Sequence, residues 1–188
     1  MVKQRMQKGQ DSRSLEKSKI FLGADKRKKA TFLVVLTLVV VFDQLSKLWV
    51  RSNLPQIELI PGFLDLVYVE NSGSAFGLLA NQTFLLVTIT IVSLIIIPLF
   101  FHYLSPSGTW GILSAALILS GAVGNLIDRL RFGHVTDFIE LHLKELFYWP
   151  AFNLADTAIV IGVITLIYSL YQSALFRKAY EHNHKAKN

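Results

Sequence analysis

Two carboxylates, Asp137 and Asp156, are the residues of this sequence best suited to do chemistry. Asp137 lies in a polar segment, and Asp156 opens an apolar run that follows a Trp-Pro turn. Two carboxylates that share a site cannot both ionise cheaply, so one keeps a proton and the pair titrates as a unit. The ionised member can then take a proton from water while its partner polarises a carbonyl, which is how aspartic proteases hydrolyse an amide.

Asn153 and Asp156 also permit a purely structural interpretation. An asparagine at a helix N-cap with an acid three residues later resembles a capping arrangement, and a carboxylate there suits the helix dipole. If a helix does begin at this point, its dipole favours Asp156 as the more readily ionised acid of the pair. On the residues alone, the capping and the catalytic interpretations both stay open.

A second polar group, formed by Asn125, Asp128 and Arg129, has the spacing i, i+3, i+4 and therefore shares one helix face. Gly121 and Gly124 lie near that face and permit close approach of another helix. For Asp128 and Arg129 we favour a supporting role, in which they pack this helix against its neighbours and hold the reacting groups in place.

Asp43 and Lys47 interrupt another apolar segment. They are four residues apart, so they share a helix face, with the acid on the favourable N-terminal side. They either form an internal ion pair that lowers the cost of membrane insertion or help to shape a site, since charged groups in such segments usually face the protein interior.

Other chemistries find less support in the residues. Ser46 and Lys47 are unsuited to a serine–lysine dyad because adjacent helix residues do not face each other. The sequence contains no HExxH pair, no GxSxG nucleophile elbow and no glycine-rich phosphate loop. Carboxylates can also bind a divalent cation, but the sequence offers no compact set of ligands, so we predict no metal site.

Four apolar segments are long enough to position these residues as membrane-spanning helices. Each is about 21 residues long, or roughly 30 Å at 1.5 Å per residue, which matches the hydrocarbon core. The predicted spans are residues 30–50, 83–103, 110–130 and 153–173. Four spans put both ends of the chain on one side, and the basic residues at both ends place that side in the cytoplasm.

This topology brings the polar residues together at the outer membrane–water boundary. Asp43 lies toward the outer end of the first span, Asp128 at the outer end of the third, and Asp156 at the outer start of the fourth. Asn71 and Asp137 lie in outer loops. Their convergence predicts a shared site at that boundary.

The segments outside the spans predict smaller elements. Residues 63–69 are rich in β-formers and predict a short extramembrane strand or hairpin. Residues 138–149, within the polar stretch 131–152, predict an amphipathic segment that lies at the surface. We divide the chain into a basic cytoplasmic extension, disordered or loosely helical, at 1–29, a four-span domain at 30–173 and a cytoplasmic tail at 174–188.

Composition excludes several classes of protein. The chain has no cysteine, which rules out disulfides and thiolate chemistry. Its positive charges flank apolar segments, so they predict membrane topology and not nucleic-acid binding. The apolar run at 30–50 is longer than the core of a typical signal peptide, and it lacks a clear small-residue cleavage site.

From about residue 43 to residue 156 the chain resembles the bacterial lipoprotein signal peptidases, also called signal peptidase II. Each block of the resemblance is weakly specific alone, but their order and spacing on four spans are very specific. The blocks are Asp43-Gln-x-x-Lys47, Asn71-x-Gly-x-Ala-Phe-Gly77, Gly121-x-x-Gly-Asn-x-x-Asp-Arg129 running on through Gly133-x-Val-x-Asp-Phe138, and Trp149-Pro-x-Phe-Asn-x-Ala-Asp156.

The resemblance implies an intramembrane aspartic endopeptidase that removes the signal peptide from prolipoproteins by hydrolysing the bond before the diacylglyceryl-modified cysteine. By motif position, Asp137 and Asp156 match the catalytic pair. The residues that match supporting or substrate-binding positions are Asp43, Lys47, Asn71, Gly73, Asn125, Asp128, Arg129, Asn153 and Ala155.

The implied fold is an all-α membrane protein: four transmembrane helices with a small extracytoplasmic β element, matching 63–69, and a periplasmic surface helix, matching 131–152. The resemblance also implies a monomer in the bacterial cytoplasmic (inner) membrane, with both termini cytoplasmic and its active site at the outer leaflet. It acts on prolipoproteins among membrane lipid and needs no cofactor. Two features depart from the family pattern: Ser120 stands where many members have glycine, and the basic extension is longer than usual.

Two other functions fit parts of the sequence. A small proton-coupled transporter would use the same buried acids as a proton relay, but it would be favoured by inverted repeats and a midplane site, which the sequence does not suggest. A structural or assembly subunit would predict that Asp137→Asn leaves function intact.

Overall fold

The computed structural model describes residues 2–73, 79–104, 108–143 and 147–185. Over these residues the chain folds into long helices and one four-stranded antiparallel sheet. The helices are α1 (Val2–Asn53), α2 (Thr83–Leu104), α3 (Gly108–Phe132) and α4 (Leu154–Lys185). The strands are β1 (Ile57–Ile60), β2 (Leu64–Asn71), β3 (Val135–Leu143) and β4 (Phe147–Phe152).

Each helix contains a stretch that is long and apolar enough to cross a membrane, which confirms the four predicted spans. These stretches are Lys26–Asn53, Thr83–Phe101, Gly108–Phe132 and Leu154–Ala174. Large apolar side chains cover the outside of the bundle; Phe84 and Ile164, for example, are 86% and 62% exposed. Such outward apolar surfaces are what helices need when they face lipid.

The third helix, α3, is the centre of the bundle and packs against the other three helices. Its glycines allow the close approach that the sequence predicts. A Cβ atom added at Gly124 would lie 2.5 Å from Asp43 Oδ2, and one added at Gly121 would collide with the carbonyl oxygen of Ala155. The backbone of α4 and the carboxylate of Asp43 can therefore lie against α3 only because these positions lack a side chain.

The sheet has the strand order β1-β2-β3-β4. Strand β2 confirms the strand predicted at 63–69. The predicted surface helix, in contrast, is wrong: of the segment 131–152, residues 131–132 end α3, and from residue 135 onward the described residues lie in β3 and β4, with 144–146 outside the described part. From Val135 to Leu143 the side chains alternate with a period of two: Ile139 and Leu141 point to one face and Glu140 and His142 to the other, which suits a strand and not a helix.

Strand β3 itself is regular, and the register shifts beside it fall in its neighbours. From Asp137 to Ile139, an advance of two residues along β3 is matched by three residues along β2. From Ile139 to Leu141, an advance of two residues along β3 is matched by three residues along β4. The pairs that bound these intervals are Asp137↔Val69 and Ile139↔Leu66, followed by Ile139↔Phe152 and Leu141↔Trp149. Strict alternation along β3 therefore decides which way each of its side chains points.

Helix α1 begins at Val2, so the basic extension continues the first span as a helix over the described residues. Helix α4 likewise continues beyond its apolar stretch to Lys185. The division of the chain at residues 29 and 173 stays a prediction.

Candidate active site

Asp137 on β3 and Asp156 in the first turn of α4 are brought to one place by Asn153. The side-chain amide of Asn153 donates a hydrogen bond to Asp137 Oδ1 at 2.7 Å, and its backbone N–H donates to Asp156 Oδ2 at 3.2 Å. Asn153 is fully buried and Asp137 is 2% exposed. The two carboxylates named from the sequence thus share one buried neighbour.

The capping arrangement predicted for Asn153 and Asp156 is also present. The backbone N–H of Asp156 donates to Asn153 Oδ1 at 3.0 Å, which complements the bond from the Asn153 N–H to the Asp156 carboxylate. This reciprocal pair satisfies donors at the start of α4 and puts a carboxylate where the helix dipole favours an anion. Capping and proximity to Asp137 are therefore both properties of Asp156.

Two further asparagines orient the carboxylates. Asn71 Nδ2 donates to Asp137 Oδ2 at 2.8 Å, so each oxygen of Asp137 accepts a bond from an amide. Asn125 Nδ2 donates to Asp156 Oδ1 at 2.8 Å. Amide donors fix the direction of both carboxylates without adding a charge to the site.

Burial raises the pKa of Asp137 from its usual 3.8 to about 6. The hydrogen bond from Asn71 acts in the opposite direction, and the negative charge of Asp156 raises this pKa further. A carboxyl group removed from water favours its neutral form, since the charged form loses solvation. Asp137 is therefore suited to hold a proton beside a second carboxylate.

A fully buried ion cluster lies behind these residues. Lys47 Nζ is 3.0 Å from Asp43 Oδ2 and 3.3 Å from Asp128 Oδ2, and all three side chains are inaccessible to solvent. The predicted Asp43–Lys47 ion pair is thus confirmed. The other oxygen of Asp43 accepts the backbone N–H of Ala155 at 3.0 Å, so the same acid also fixes the start of α4.

Lys47 also connects the ion cluster to the carboxylate pair. Its Nζ donates to Asn125 Oδ1 at 2.9 Å, and the same oxygen accepts a bond from Asn153 at 3.2 Å. Since Asn125 donates to Asp156 as well, one continuous network runs from α1 through α3 to both carboxylates.

Asp128 makes the contacts that the expected supporting role requires. Its Oδ2 accepts the backbone N–H of Thr136 at 3.1 Å, directly before Asp137. Its Oδ1 accepts a bond from Gln44 Nε2 at 3.2 Å, and Gln44 also donates to Asp43 at 3.1 Å. The carboxylate therefore joins α1, α3 and the first residues of β3.

Arg129 supports the other side of the site. Its Nη2 donates to the carbonyl oxygen of Gly73 at 3.0 Å, and the Gly73 N–H donates to Asn71 Oδ1 at 2.9 Å. This turn leaves the amide of Asn71 free to reach Asp137. The rest of the second sequence block, 74–77, lies outside the described residues.

The sequence interpretation gave no role to three residues of this arrangement: Arg51, Thr136 and Gln44, the last of which stands in the first block of the resemblance. Arg51 Nη1 lies 2.9 Å from Thr136 Oγ1 and 3.5 Å from Asp128 Oδ1. The sequence could have indicated a role for Arg51, because this residue lies four residues after Lys47 on the same helix face. The residues next to Thr136 gave no indication of its role, because its partners lie in the preceding helix α3 and in the distant helix α1.

The arrangement is suited to general acid–base chemistry. It consists of two carboxylates, one with a raised pKa, that are aligned by amide donors at one end of an apolar helix bundle. Among the described residues, no group of three or more His, Asp or Glu side chains is placed to hold a metal ion.

Comparison with known proteins places the chain in a family. The profile of a family described as signal peptidase (SPase) II matches residues 35–172. A lipoprotein signal peptidase of Moorella thermoacetica is 50% identical over 142 residues, which cover 74% of this chain and 91% of that protein. A lipoprotein signal peptidase of Syntrophotalea carbinolica is 41% identical over 157 residues, which cover 78% and 94%.

The similarity extends to solved structures. One, described as a bacterial membrane enzyme, matches with a TM-score of 0.68 and 32% identity over 77% of this chain and 90% of its own. A second structure with the same description matches with a TM-score of 0.62 and 32% identity over 75% and 92%. The matched profile runs from α1 to α4 and includes the whole sheet. The chain is thus a multi-pass membrane protein that belongs to the signal peptidase II family of proteases.

Proposed function

We propose that the chain is an intramembrane aspartic endopeptidase, which removes the signal peptide from prolipoproteins by hydrolysing the bond before the diacylglyceryl-modified cysteine. The observation that carries this proposal is the double contact of Asn153 with Asp137 and Asp156. Two carboxylates held by one residue can share a proton, as amide hydrolysis by this chemistry requires. The substrate class follows from membership of the lipoprotein signal peptidase family.

In the proposed reaction, the active form of the enzyme has Asp156 ionised and Asp137 protonated. With a pKa of about 6, Asp137 carries the proton in a minority of molecules at neutral pH. Asp156 takes a proton from water as the water oxygen bonds to the scissile carbonyl carbon, and Asp137 gives its proton to the carbonyl oxygen. When the tetrahedral intermediate collapses, the C–N bond breaks and the leaving amine takes the proton from Asp156. The hydroxyl proton of the intermediate returns to Asp137, which restores the pair.

We further propose that the site lies at the outer leaflet and that both termini are cytoplasmic. The carboxylates lie where α3 ends and α4 begins, next to the sheet. Exposed basic residues lie at the opposite end of the first span, at 26–29. Positive charge beside a span favours the cytoplasmic side, so the sheet would be extracytoplasmic.

The lipid on the substrate suits this location. The acyl chains of the diacylglyceryl group would lie against the apolar outer faces of the helices, so that the scissile amide is held at the membrane boundary. A water molecule can reach that boundary, whereas the centre of the bilayer would exclude it. Since one chain supplies both carboxylates and all three asparagines, we propose that the enzyme acts as a monomer.

A cleavage assay tests the proposal. Purified protein in liposomes would be given one prolipoprotein with and without its diacylglyceryl group, and the product would be followed by gel shift. Wild type should cleave the lipidated form alone. Asp137→Asn and Asp156→Asn should each lower the rate by about 100-fold or more, because each removes one partner of the proton transfer.

The control is Glu140→Gln, which removes a partly exposed carboxylate from the opposite face of the same strand. Full activity in a folded Asp137→Asn or Asp156→Asn variant would exclude that residue from the chemistry. A folded wild type that cleaves neither substrate would overturn the proposal, and proton uptake by the same liposomes would then test for transport.

A further inference from the structure

We infer that Arg51 and Thr136 are positioning residues, which set the place of Asp137 through a clasp formed by Arg51, Asp128 and Thr136. The clasp joins α1 and α3 to the first residues of β3. The inference deepens the proposed function and rests on it, because the position of Asp137 matters to the rate only if its carboxyl group takes part in the reaction.

The clasp holds Thr136 by both its main chain and its side chain. Its backbone N–H donates to Asp128 Oδ2 at 3.1 Å, and its Oγ1 accepts a bond from Arg51 Nη1 at 2.9 Å. Arg51 and Asp128 in turn approach each other at 3.5 Å. Thr136 is fully buried, so water offers no substitute for these bonds.

The position of Thr136 determines the direction of Asp137. Successive side chains of a strand point to opposite faces, and β3 is regular at this point. While Thr136 points to Arg51, Asp137 must point away from it, toward the amides of Asn71 and Asn153. If the clasp loosens, the strand can twist about its axis and move the carboxyl group, and a misplacement of about 1 Å can lower a rate by about 100-fold.

The guanidinium of Arg51 is held from a third direction. It lies over the ring of Phe132 at 4.5 Å from the centroid, and the side chain is only 15% exposed. A planar guanidinium can stack on this ring while it donates to Thr136 and faces Asp128, which a lysine ammonium cannot do. Its charge also gives the buried Asp128 a second cation besides Lys47.

Arg131 provides a matched control on the same ring. It also lies over Phe132, at 5.0 Å, but its side chain is exposed to solvent. Arg131→Met therefore removes an arginine and a ring contact near the clasp, whereas Arg51→Met removes the contacts of the clasp with Thr136 Oγ1 and with Asp128 Oδ1.

The first test is a set of cleavage kinetics, expressed per folded enzyme, on Arg51→Met, Thr136→Val, Thr136→Ser and Arg131→Met. Arg51→Met and Thr136→Val should lower kcat by about 10-fold or more, and KM should change less than about twofold. Thr136→Ser keeps the hydroxyl and should restore most of the rate. The double variant Arg51→Met/Thr136→Val should be no slower than its slower parent, since both changes break the same bond.

A merely structural role predicts a different result. Arg51→Met would then lower the thermal stability while kcat per folded molecule stayed at the wild-type value, and this outcome would overturn the inference. Equal losses in Arg51→Met and Arg131→Met would also overturn it, because the effect would then come from charge or from the Phe132 ring.

A second measurement does not depend on cleavage. Hydrogen exchange of peptides that cover residues 133–139 should be faster in Arg51→Met than in wild type or Arg131→Met, because the N–H of Thr136 loses part of its support. If wild type cleaves but exchange and kcat are unchanged in Arg51→Met, the inference fails and the proposed function stands. If wild type does not cleave, the proposed function fails, and unchanged exchange would reject the clasp as well.

Discussion

Replacing Asp137 by asparagine should remove a loss of stability that wild type undergoes as the pH rises to neutral, while it abolishes cleavage. Asparagine has nearly the shape of a protonated carboxyl group and carries no charge at any pH. It therefore imitates the charge of the neutral form of Asp137, which burial favours. Its amide nitrogen cannot accept the hydrogen bond that Asn71 or Asn153 donates to the carboxyl oxygen, and the cost of that lost bond does not depend on pH. The stability difference between wild type and variant should change with pH from the point at which the carboxyl group of the unfolded chain begins to ionise.

The size and sign of the effect follow from the pKa of Asp137. Below its usual value of 3.8, the group is protonated in both the folded and the unfolded chain. As the pH rises from 3.8 to about 6, the unfolded chain ionises first, so the folded state loses stability across this window. At 1.36 kcal/mol per pH unit, the loss reaches about 3 kcal/mol above that window.

The assay is the free energy of unfolding in mixed micelles, measured by SDS titration from pH 4 to pH 8. The free energy of unfolding of Asp137→Asn, relative to that of wild type, should rise by about 3 kcal/mol between pH 4 and pH 8. Glu140→Gln, on the same strand but half-buried on its other face, controls for the general loss of one negative charge.

Two results would refute this reasoning. A stability difference that does not change with pH would mean that the pKa of Asp137 is the same in the folded and the unfolded chain, so that burial does not raise it. A variant that becomes less stable than wild type as the pH rises would mean that the two amides of Asn71 and Asn153 stabilise the ionised carboxylate more than burial destabilises it.

Two further predictions concern the packing behind the site. Lys47→Met should lower the free energy of unfolding by about 3–5 kcal/mol, because Asp43 and Asp128 would be left buried without their shared cation. Adding Asp43→Asn to this variant should recover part of the loss. An unchanged midpoint of SDS unfolding in Lys47→Met would show that the cation is dispensable. Gly124→Ala should lower the free energy of unfolding by about 1–3 kcal/mol, because its Cβ would lie 2.5 Å from Asp43 Oδ2. Leu130→Ala, at an exposed position of the same helix, is the control. An equal loss in the control would argue against tight packing at Gly124.

The parts of the site that follow local rules could be predicted from the sequence. The pairing of Asp43 with Lys47 and the capping of α4 by Asn153 and Asp156 each depend on residues within one helical turn. Helix periodicity places such residues on one face whatever the rest of the chain does. The four spans followed in the same way from length and hydrophobicity.

The sheet was harder to predict because its pairing is not local. Strand β3 gains its partner from β2, so that Asp137 faces Val69 across a long stretch of chain that contains α2 and α3. Aromatic and polar residues mixed over 138–149 fit a surface segment equally well when that partner is ignored. The contact of Arg51 with Thr136 has the same origin, since it exists only after β3 has docked against α1.

The uneven distribution of extra residues in the sheet determines where the chain can change in length. Near residue 67 in β2 and near residue 150 in β4, the strand already has one residue more than the paired part of β3. An insertion at either place would enlarge an existing irregularity. Between Val135 and Asp137, β3 has no irregularity that could absorb an insertion or deletion. Such a change would exchange the two faces of β3, bring a carboxylate to Arg51 and turn a neutral side chain toward Asn153. In homologues or designed variants of this fold, we therefore expect length changes to collect in the strands on either side of β3, while β3 itself keeps a constant count.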